Sequence, residues 1–284
     1  MSVFISGLAM RFRSSPAAIE TQIAGPAVYA CAGYAMLGGK PSMLAAISND
    51  VSRTELDALE CLGIDVDGLE WRKRPSIVLE TPFRSGDSKS FKLSDNPLLW
   101  MPADTVRLEP TDVLFASNGD PEWLRRTIGR CRPRFLGLDL HATWALIRPV
   151  AMDACIRSAD FVSATEEELS LIPSGALADL RDRNAIVMCK KGAAGVSICS
   201  GREQYALPSP TVSNVVTDVG AGDLLFGAMA AAAVPCEEAD SRLSAFCRVY
   251  EQAASFVALL LQSNGPSELL SRLKDAKSTC PPQG

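Results

Sequence analysis

Strand-type and helix-type segments take turns along this chain, and that alternation constrains its fold more than any other feature. The runs VFISGLAM, PSMLAAIS, DVLFAS, RFLGLDL, DFVSA and AIVMCK have the length and apolar content of buried strands. Helix signals lie between them. GPAVYACAGYAML carries Pro26 near its first turn and stops at Gly38-Gly39. Ser52-Arg53-Thr54-Glu55 is a capping box opening a helix that runs to Gly63. Asp120-Pro121-Glu122 opens another, Pro149 bends or splits the next, and TEEELSLI is a short one. GVSICS and QYALP read as a hairpin, and helices follow at about 223–234, 238–262 and 267–277. The alternation predicts a mostly parallel sheet covered by helices on both faces. Residues 72–100 break the pattern. SIVLETPF and SKSFKL flank the turn RSGDS, so a small β insert is expected, either a lid over a cleft or a surface hairpin.

Composition narrows the class. The 284 residues suit one α/β domain, with 47% hydrophobic and 21% charged residues. A net charge of −5 leaves no basic footprint for nucleic acid, and Arg72-Lys73-Arg74 is too short to make one. Nine cysteines, an odd number without a Cys-x-x-Cys, read as reduced thiols of a cytoplasmic protein. A single histidine, His141, excludes histidine-rich metal sites. MSVFISGLAM lacks a secretory pattern, and FVALLL is too short to span a bilayer, so no membrane partner is expected.

The stretch TDVGAGDLLFGAMAAAA, residues 217–233, carries the chemistry. Gly220-Ala221-Gly222 permits a tight turn that exposes successive N–H groups. Asp223 follows in the first turn of a helix that is apolar all round, hence buried and rigid. A helix N-terminus offers unpaired donors and partial positive charge, which suits a phosphoryl group in transfer. The adjacent carboxylate can take a proton from an attacking hydroxyl. A favourable cap is the plainer reading of the same aspartate.

With these features in order, the sequence resembles the ribokinase-like, or PfkB-type, carbohydrate kinases along nearly its whole length. VTDVGAGDLLFGAM is similar to that family's C-terminal signature, and AGPAVYACAGYAMLGGKPSMLAAISNDV to its glycine-led N-terminal helix, strand and turn. SADFVSATEEELSLI resembles its magnesium-organising strand and acidic helix, and AIVMCKKGAAGVSIC its nucleotide-phosphate loop. The resemblance implies a three-layer α/β/α sandwich over residues 1–284 with a β lid from about 72–100 and residues near 10–22. It implies ATP-dependent phosphorylation of a small-molecule hydroxyl with Mg²⁺. Asp223 then falls on the catalytic base, and the amides of Gly220, Ala221 and Gly222 on the anion hole. Glu168 falls on the glutamate ordering metal-bound water, and Thr165 stands where asparagine is usual. Lys190 and Gly192 fall near the ATP phosphates, and Gly265 near the loop flanking adenine.

The departures concern the acceptor. Arg11 stands where the family usually has an aspartate gripping sugar hydroxyls. Gly25 is kept, but Tyr29 replaces an asparagine. Arg11 either faces an anionic or planar substrate or points away from the cleft. Tyr29 would offer a ring face or a hydroxyl. Thr217-Asp218 reverses the usual aspartate-threonine order, which leaves activation by a monovalent cation open. Asp139 and His141 end a central strand, and Ser117-Asn118-Gly119 end another, on the side where α/β sheets bind ligands. The sequence-level conclusion is a kinase for a sugar, nucleoside or polyol. The alternative is a nucleotide-binding regulatory protein that has lost turnover. A dinucleotide oxidoreductase is excluded by the lack of a strand–GxGxxG–helix unit at the N-terminus. A homodimer through the lid edge is a further expectation.

Overall fold

Six of the apolar runs pair side by side in parallel, as strands without a polar face must when both sides are covered. The computed structural model describes residues 1–13, 21–80, 92–94, 96, 100–102, 108–110, 112–233 and 242–279. In chain order the elements are β1 (Val3–Ser6), β2 (Met10–Arg13), β3 (Gln22–Ala24), α1 (Pro26–Met36), β4 (Pro41–Leu44), β5 (Ala46–Ser48), α2 (Arg53–Cys61), β6 (Glu70–Arg72), β7 (Val78–Glu80), β8 (Lys92–Leu93) and β9 (Val113–Ala116). There follow α3 (Pro121–Cys131), β10 (Phe135–Asp139), α4 (Ala142–Ile147), α5 (Pro149–Ser158), β11 (Phe161–Thr165), α6 (Glu166–Ser170), α7 (Ser174–Asp182), β12 (Ile186–Lys190), β13 (Val196–Ser200) and β14 (Glu203–Leu207). The chain closes with α8 (Ala221–Ala228), α9 (Ala230–Ala233), α10 (Arg242–Leu261) and α11 (Pro266–Thr279).

The main sheet has the order β14-β13-β12-β11-β10-β9-β1-β4. β4 through β12 are parallel, and β13 and β14 form the expected antiparallel hairpin at the edge. Alternate side chains feed two separate cores. Val113, Phe115, Phe135, Phe161 and Met188 face the layer of α1, α8 and α10. Leu114, Ala116, Leu136, Leu138 and Val162 face the layer that holds α3, α5 and α7. The result is a three-layer α/β/α sandwich. Among the described residues no helix is long and apolar enough to cross a membrane.

A second sheet, β3-β2-β7-β8, stands apart from the first. The run VFISGLAM is not one strand: β1 stops at Ser6, and the chain re-forms as β2 in the small sheet. β2 pairs antiparallel with β3 and parallel with β7, so the insert is completed by N-terminal residues. The expected turn RSGDS, residues 84–88, lies outside the described residues. The helix expected at 223–234 is divided at Met229 into α8 and α9. Pro149 separates α4 from α5, and Ser52 and Glu55 form the capping box reciprocally.

α8 is seated by two devices. Phe226 lies 5.1 Å from Phe115 and 5.8 Å from Phe161 between ring centroids, fixing the helix over the sheet. On its other side the backbone touches α1. A Cβ at Gly227 would lie 1.9 Å from the Ala30 carbonyl oxygen, and one at Gly33 would lie 2.0 Å from that of Leu224. Gly227→Ala is therefore expected to cost about 3 kcal/mol or more by overpacking. Gly129→Ala, on exposed α3 with nothing within 4 Å, should stabilise by roughly 0.5–1 kcal/mol. Chemical denaturation midpoints of the two variants check both signs.

Candidate active site

The carboxyl ends of β9, β10, β11 and β12, adjacent in the sheet, deliver one cluster of polar residues. Ser117 and Asn118 follow β9, Asp139 ends β10 with His141 just beyond, Thr165 ends β11, and Lys190 ends β12. The N-terminus of α8 faces them. Two cavities meet there. One, about 330 Å³, lies beneath the small sheet and is lined by Gly25, Tyr29, Asn118, Asp139, His141, Thr165, Glu168, Lys190, Gly220, Gly222 and Asp223 among others. The other, about 540 Å³, is bordered by Lys190, Gly192, Gly195, residues 209–212, Asp218, Ala221, Gly222 and the apolar flank of α10. Lys190 and Gly222 belong to both. A site that joins two ligands has this arrangement, each ligand entering from its own side.

Asp223 lines the smaller cavity, next in sequence to Gly222, which borders both. Ser117, 3% exposed, donates its hydroxyl to Asp223 Oδ1 at 3.0 Å. Burial, and then the negative charge of Asp139, push the Asp223 carboxyl up to about 7. Lys190 and Ser117 pull in the opposite direction. Lys190 Nζ donates to Asp139 Oδ1 at 2.6 Å, both side chains being nearly inaccessible. Burial works against the lysine's charge, but Asp139, Glu168 and Asp223 outweigh it and hold its pKa above the ordinary range. Burial lifts the Asp139 carboxyl despite its partner. Tyr29 is a buried phenol whose pKa is raised by desolvation and by Asp223, so it stays protonated.

Gly220 is the N-cap of α8 at φ +85°, and a Cβ there would meet the Tyr29 ring at 2.4 Å. Glycine is required on both counts. The N–H of Ala221 is already used: it donates to the Asp218 carbonyl at 3.2 Å. The anion hole expected at Gly220, Ala221 and Gly222 is corrected accordingly. The N–H groups without a partner among the described residues are those of Gly220, Gly222 and Asp223. Gly222 is less constrained than Gly220: a Cβ there would lie 3.3 Å from Lys190 Nζ, the movable end of that side chain.

Thr165 caps α6. Its hydroxyl accepts from the Glu168 N–H at 3.2 Å, and Glu168 Oε2 accepts from the Thr165 N–H at 2.8 Å. This box orients the Glu168 carboxylate at the edge of the smaller cavity. Among the described residues no three His, Cys, Asp or Glu side chains could hold a metal by themselves. One carboxylate outside the buried ion pair, held by its cap at Oε2, fits Mg²⁺, which keeps its waters and draws further ligands from phosphates.

Two expected site residues are elsewhere. Arg11 does not face the cavity. Met10 and Phe12 of β2 do, and strand alternation turns Arg11 to the opposite face. There it is 6% exposed and donates to Glu55 Oε1 at 2.6 Å, to Thr21 Oγ1 at 2.9 Å and to the Thr21 carbonyl. Burial alone would raise the Glu55 carboxyl, but hydrogen bonds from Ser52 and Ile23 and the Arg11 charge hold its pKa below the usual range. Gly265 borders a small pocket with Phe12, Tyr29, Thr217 and Pro266 and does not line the larger cavity. The wall of that cavity is instead built from residues 209–212, Val215 and α10, which sequence reasoning missed. Their lack of polar pattern gave no signal, apart from their place directly before the Gly-Asp stretch. Trp144 was missed too, being one aromatic among helical apolar residues.

Comparison with known proteins bears on the fold. No family model and no curated sequence matches the chain. Among solved structures, a Vibrio cholerae O395 fructokinase bound to fructose, ADP and potassium superposes with a TM-score of 0.73 at 17% identity, over 97% of this chain and 98% of that one. A nucleoside kinase of Methanocaldococcus jannaschii, an archaeal member of the ribokinase family, gives 0.72 at 14%, covering 99% of each chain. Aminoimidazole riboside kinase from Salmonella enterica, with its riboside and an ATP analogue, gives 0.71 at 18%, over 98% of this chain and all of that one. The fold is ribokinase-like.

Two outcomes test the electrostatics. Arg11→Met should destabilise by about 3 kcal/mol, since it leaves the Glu55 carboxylate half-buried and unpaired; denaturant unfolding measures this. For Asp223 the folded-state value of about 7 lies above the unfolded value of roughly 4. Its charge thus opposes folding increasingly between those limits and fully above them. Asp223→Asn is expected to stabilise the protein more at pH 8 than at pH 5, by on the order of 2–3 kcal/mol in unfolding free energy, read as a larger rise in Tm at the higher pH.

Proposed function

We propose that this protein is an ATP-dependent kinase that phosphorylates a hydroxyl of a small molecule of sugar, nucleoside or polyol type. The observation that carries the reading is the position of Asp223 in the smaller cavity directly after Gly222, which borders both cavities, beside the unpartnered amides of Gly220 and Gly222. The structural neighbours that share the fold include sugar and nucleoside kinases, which supports it.

The acceptor occupies the smaller cavity and the nucleotide the larger. Asp223 accepts the hydroxyl proton while the acceptor oxygen bonds to the γ-phosphorus. The bond from that phosphorus to the bridging oxygen breaks, and its electron pair leaves with ADP. A base titrating near 7 is matched to this task at neutral pH. Ser117 fixes the carboxylate by donating to Oδ1, which leaves Oδ2 to face the acceptor. The free amides at the start of α8 receive the oxygens of the transferring group as charge moves across them. Lys190, held by Asp139 between the cavities, places its charge beside both ligands without being drawn onto either. Glu168 would hold Mg²⁺ through water, and the ion would supply neutralisation of phosphate charge when bound. The small sheet acts as a lid whose apolar inner face excludes water from the transfer. The regulatory alternative gains no observation.

Asp223→Ala should lower kcat/KM about 1,000-fold while nucleotide affinity stays within a few-fold. Coupled ADP release and titration calorimetry measure the two. In the unaltered protein kcat/KM should rise with pH through about 7. Residual activity above a tenth in the alanine variant would overturn the assignment of the base.

A further inference from the structure

Behind the reacting cluster, on the side of α3 and α5, lies a further pocket of about 10 Å³. Ser117 and Asp139 wall it toward the site, and Ser6, Trp123, Leu138 and Met152 close its other sides. Two of these residues carry orphaned polar atoms. Ser6 is 1% exposed and Trp123 2%, and neither Ser6 Oγ nor Trp123 Nε1 has a partner among the described residues. Native interiors pair almost all such groups, because burying one unpaired is costly. Trp144, beside the smaller cavity, shows the ordinary outcome: its indole N–H donates to Asn118 at 2.6 Å. The acids on the walls of the pocket are already engaged. Asp120 Oδ1 accepts from the Glu122 N–H at 3.1 Å, and Asp139 Oδ1 accepts from Lys190 at 2.6 Å. A site for one water needs roughly 10–15 Å³ and about three polar partners, so this pocket suits one water and nothing larger. The donor rules fix how it sits. An indole N–H only donates. Ser117 has one proton, which it gives to Asp223 Oδ1 at 3.0 Å, so toward any other neighbour its oxygen only accepts. A water between the two accepts from Trp123 and donates to Ser117. Ser6 Oγ, able to donate or accept, is its third partner.

We propose that a resident water binds in this pocket and links Trp123 to Asp223 through Ser117. The chain runs from Trp123 Nε1–H to the water, from the water to Ser117 Oγ, and from Ser117 to Asp223 Oδ1. Every donor in it points toward the carboxylate, and each bond polarises the next. Trp123 and Ser6 are positioning residues. They lie outside both large cavities and hold the Ser117 hydroxyl as a donor to Asp223. The charged and titratable groups that face Asp223 from other elements are Tyr29 on α1, Asp139 on β10, Glu168 on α6 and Lys190 on β12. Loss of the water leaves all four in place. The water site stands apart from the kinase reading; its consequence for rate rests on that reading.

The test uses NMR on the full chain with isotope-labelled tryptophan and aspartate. The Trp123 indole signal is assigned by its loss in Trp123→Phe, and the Asp223 carboxyl signal by its loss in Asp223→Asn. The expected result is a rotating-frame Overhauser contact between the Trp123 indole proton and a long-lived water. In Trp123→Phe the Asp223 carboxyl should titrate about 0.5 pH unit or more higher, because its ionised form loses a polarised donor. Ser6→Ala should move the titration the same way by less, and the rise of kcat/KM with pH should follow in both variants. Lost packing alone would lower Tm and leave the titration where it was. Absence of a water contact at Trp123 overturns the site. A bound water with the titration unmoved in both variants overturns the chain to Asp223. Should Trp123→Phe fail to fold, Ser6→Ala decides. Neither NMR reading needs turnover, so failure of the kinase reading and failure of this inference are told apart.

Discussion

Where α1 and α8 cross, their backbones touch, and the position of every reacting group depends on that contact. Gly33 and Gly227 leave no room for a Cβ against the partner helix. Both helices begin at the smaller cavity, α1 with Gly25 and Pro26 and α8 with Gly220. Close approach therefore brings two helix starts to one point, and that of α8 carries unpaired N–H groups. It also lays the Tyr29 ring on Gly220, which fills the space a side chain would need and holds the left-handed turn that aims Asp223. The aromatic cluster of Phe115, Phe161 and Phe226 supports α8 from below, so the helix is fixed on two sides. Chemistry that needs fixed geometry stands on an element that cannot drift.

Three carboxylates and one ammonium share the buried space in front of that helix, and their arrangement decides which of them does chemistry. Lys190 is committed to Asp139 at 2.6 Å. Asp223 is left with a hydroxyl partner, Ser117, and with the repulsion of Asp139. A carboxylate paired with a cation would be a poor base. One that is buried and repelled has its pKa raised toward neutrality, as the proposed base requires. Glu168 is engaged by its own cap at Thr165, which keeps its carboxylate at the cavity edge and out of the ion pair. The three acids thus have separate roles because they have separate partners.

Much of this was legible in the sequence. Uninterrupted apolar runs with helices between them specify a covered parallel sheet. The Gly-Asp stretch ahead of an apolar helix specifies a buried helix start with a carboxylate. TEEELSLI reads as a short helix and contains one, α6, whose capping box of Thr165 and Glu168 is seen only in the structure. What failed was register. Arg11 and Met10 are neighbours in sequence but lie on opposite faces of a strand, and nothing local says which face meets the cavity. The end of β1 at Ser6 was hidden for the same reason, because VFISGLAM is apolar across a turn between two sheets. Ser117 reads as a strand-end hydroxyl, and its partner is 106 residues away. The wall of the larger cavity has no regular pattern in sequence, so the fold alone assembles it.

The displaced arginine explains a further feature of the site. Glu55 caps α2 through Ser52, and the same carboxylate accepts from Arg11 on β2 and from the Ile23 N–H on β3. One buried acid therefore ties the small sheet to a helix of the main body. A pair buried to this degree adds little net stability over an apolar contact, but it tolerates one register only. Slipping β2 by one residue would turn Arg11 into the cavity and Phe12 away from it. The ion pair makes that slip costly, so the apolar face that the small sheet turns to the cavity is specified by a charge on the reverse side of the strand. The lining of the cavity is thus set in part by a polar interaction outside it.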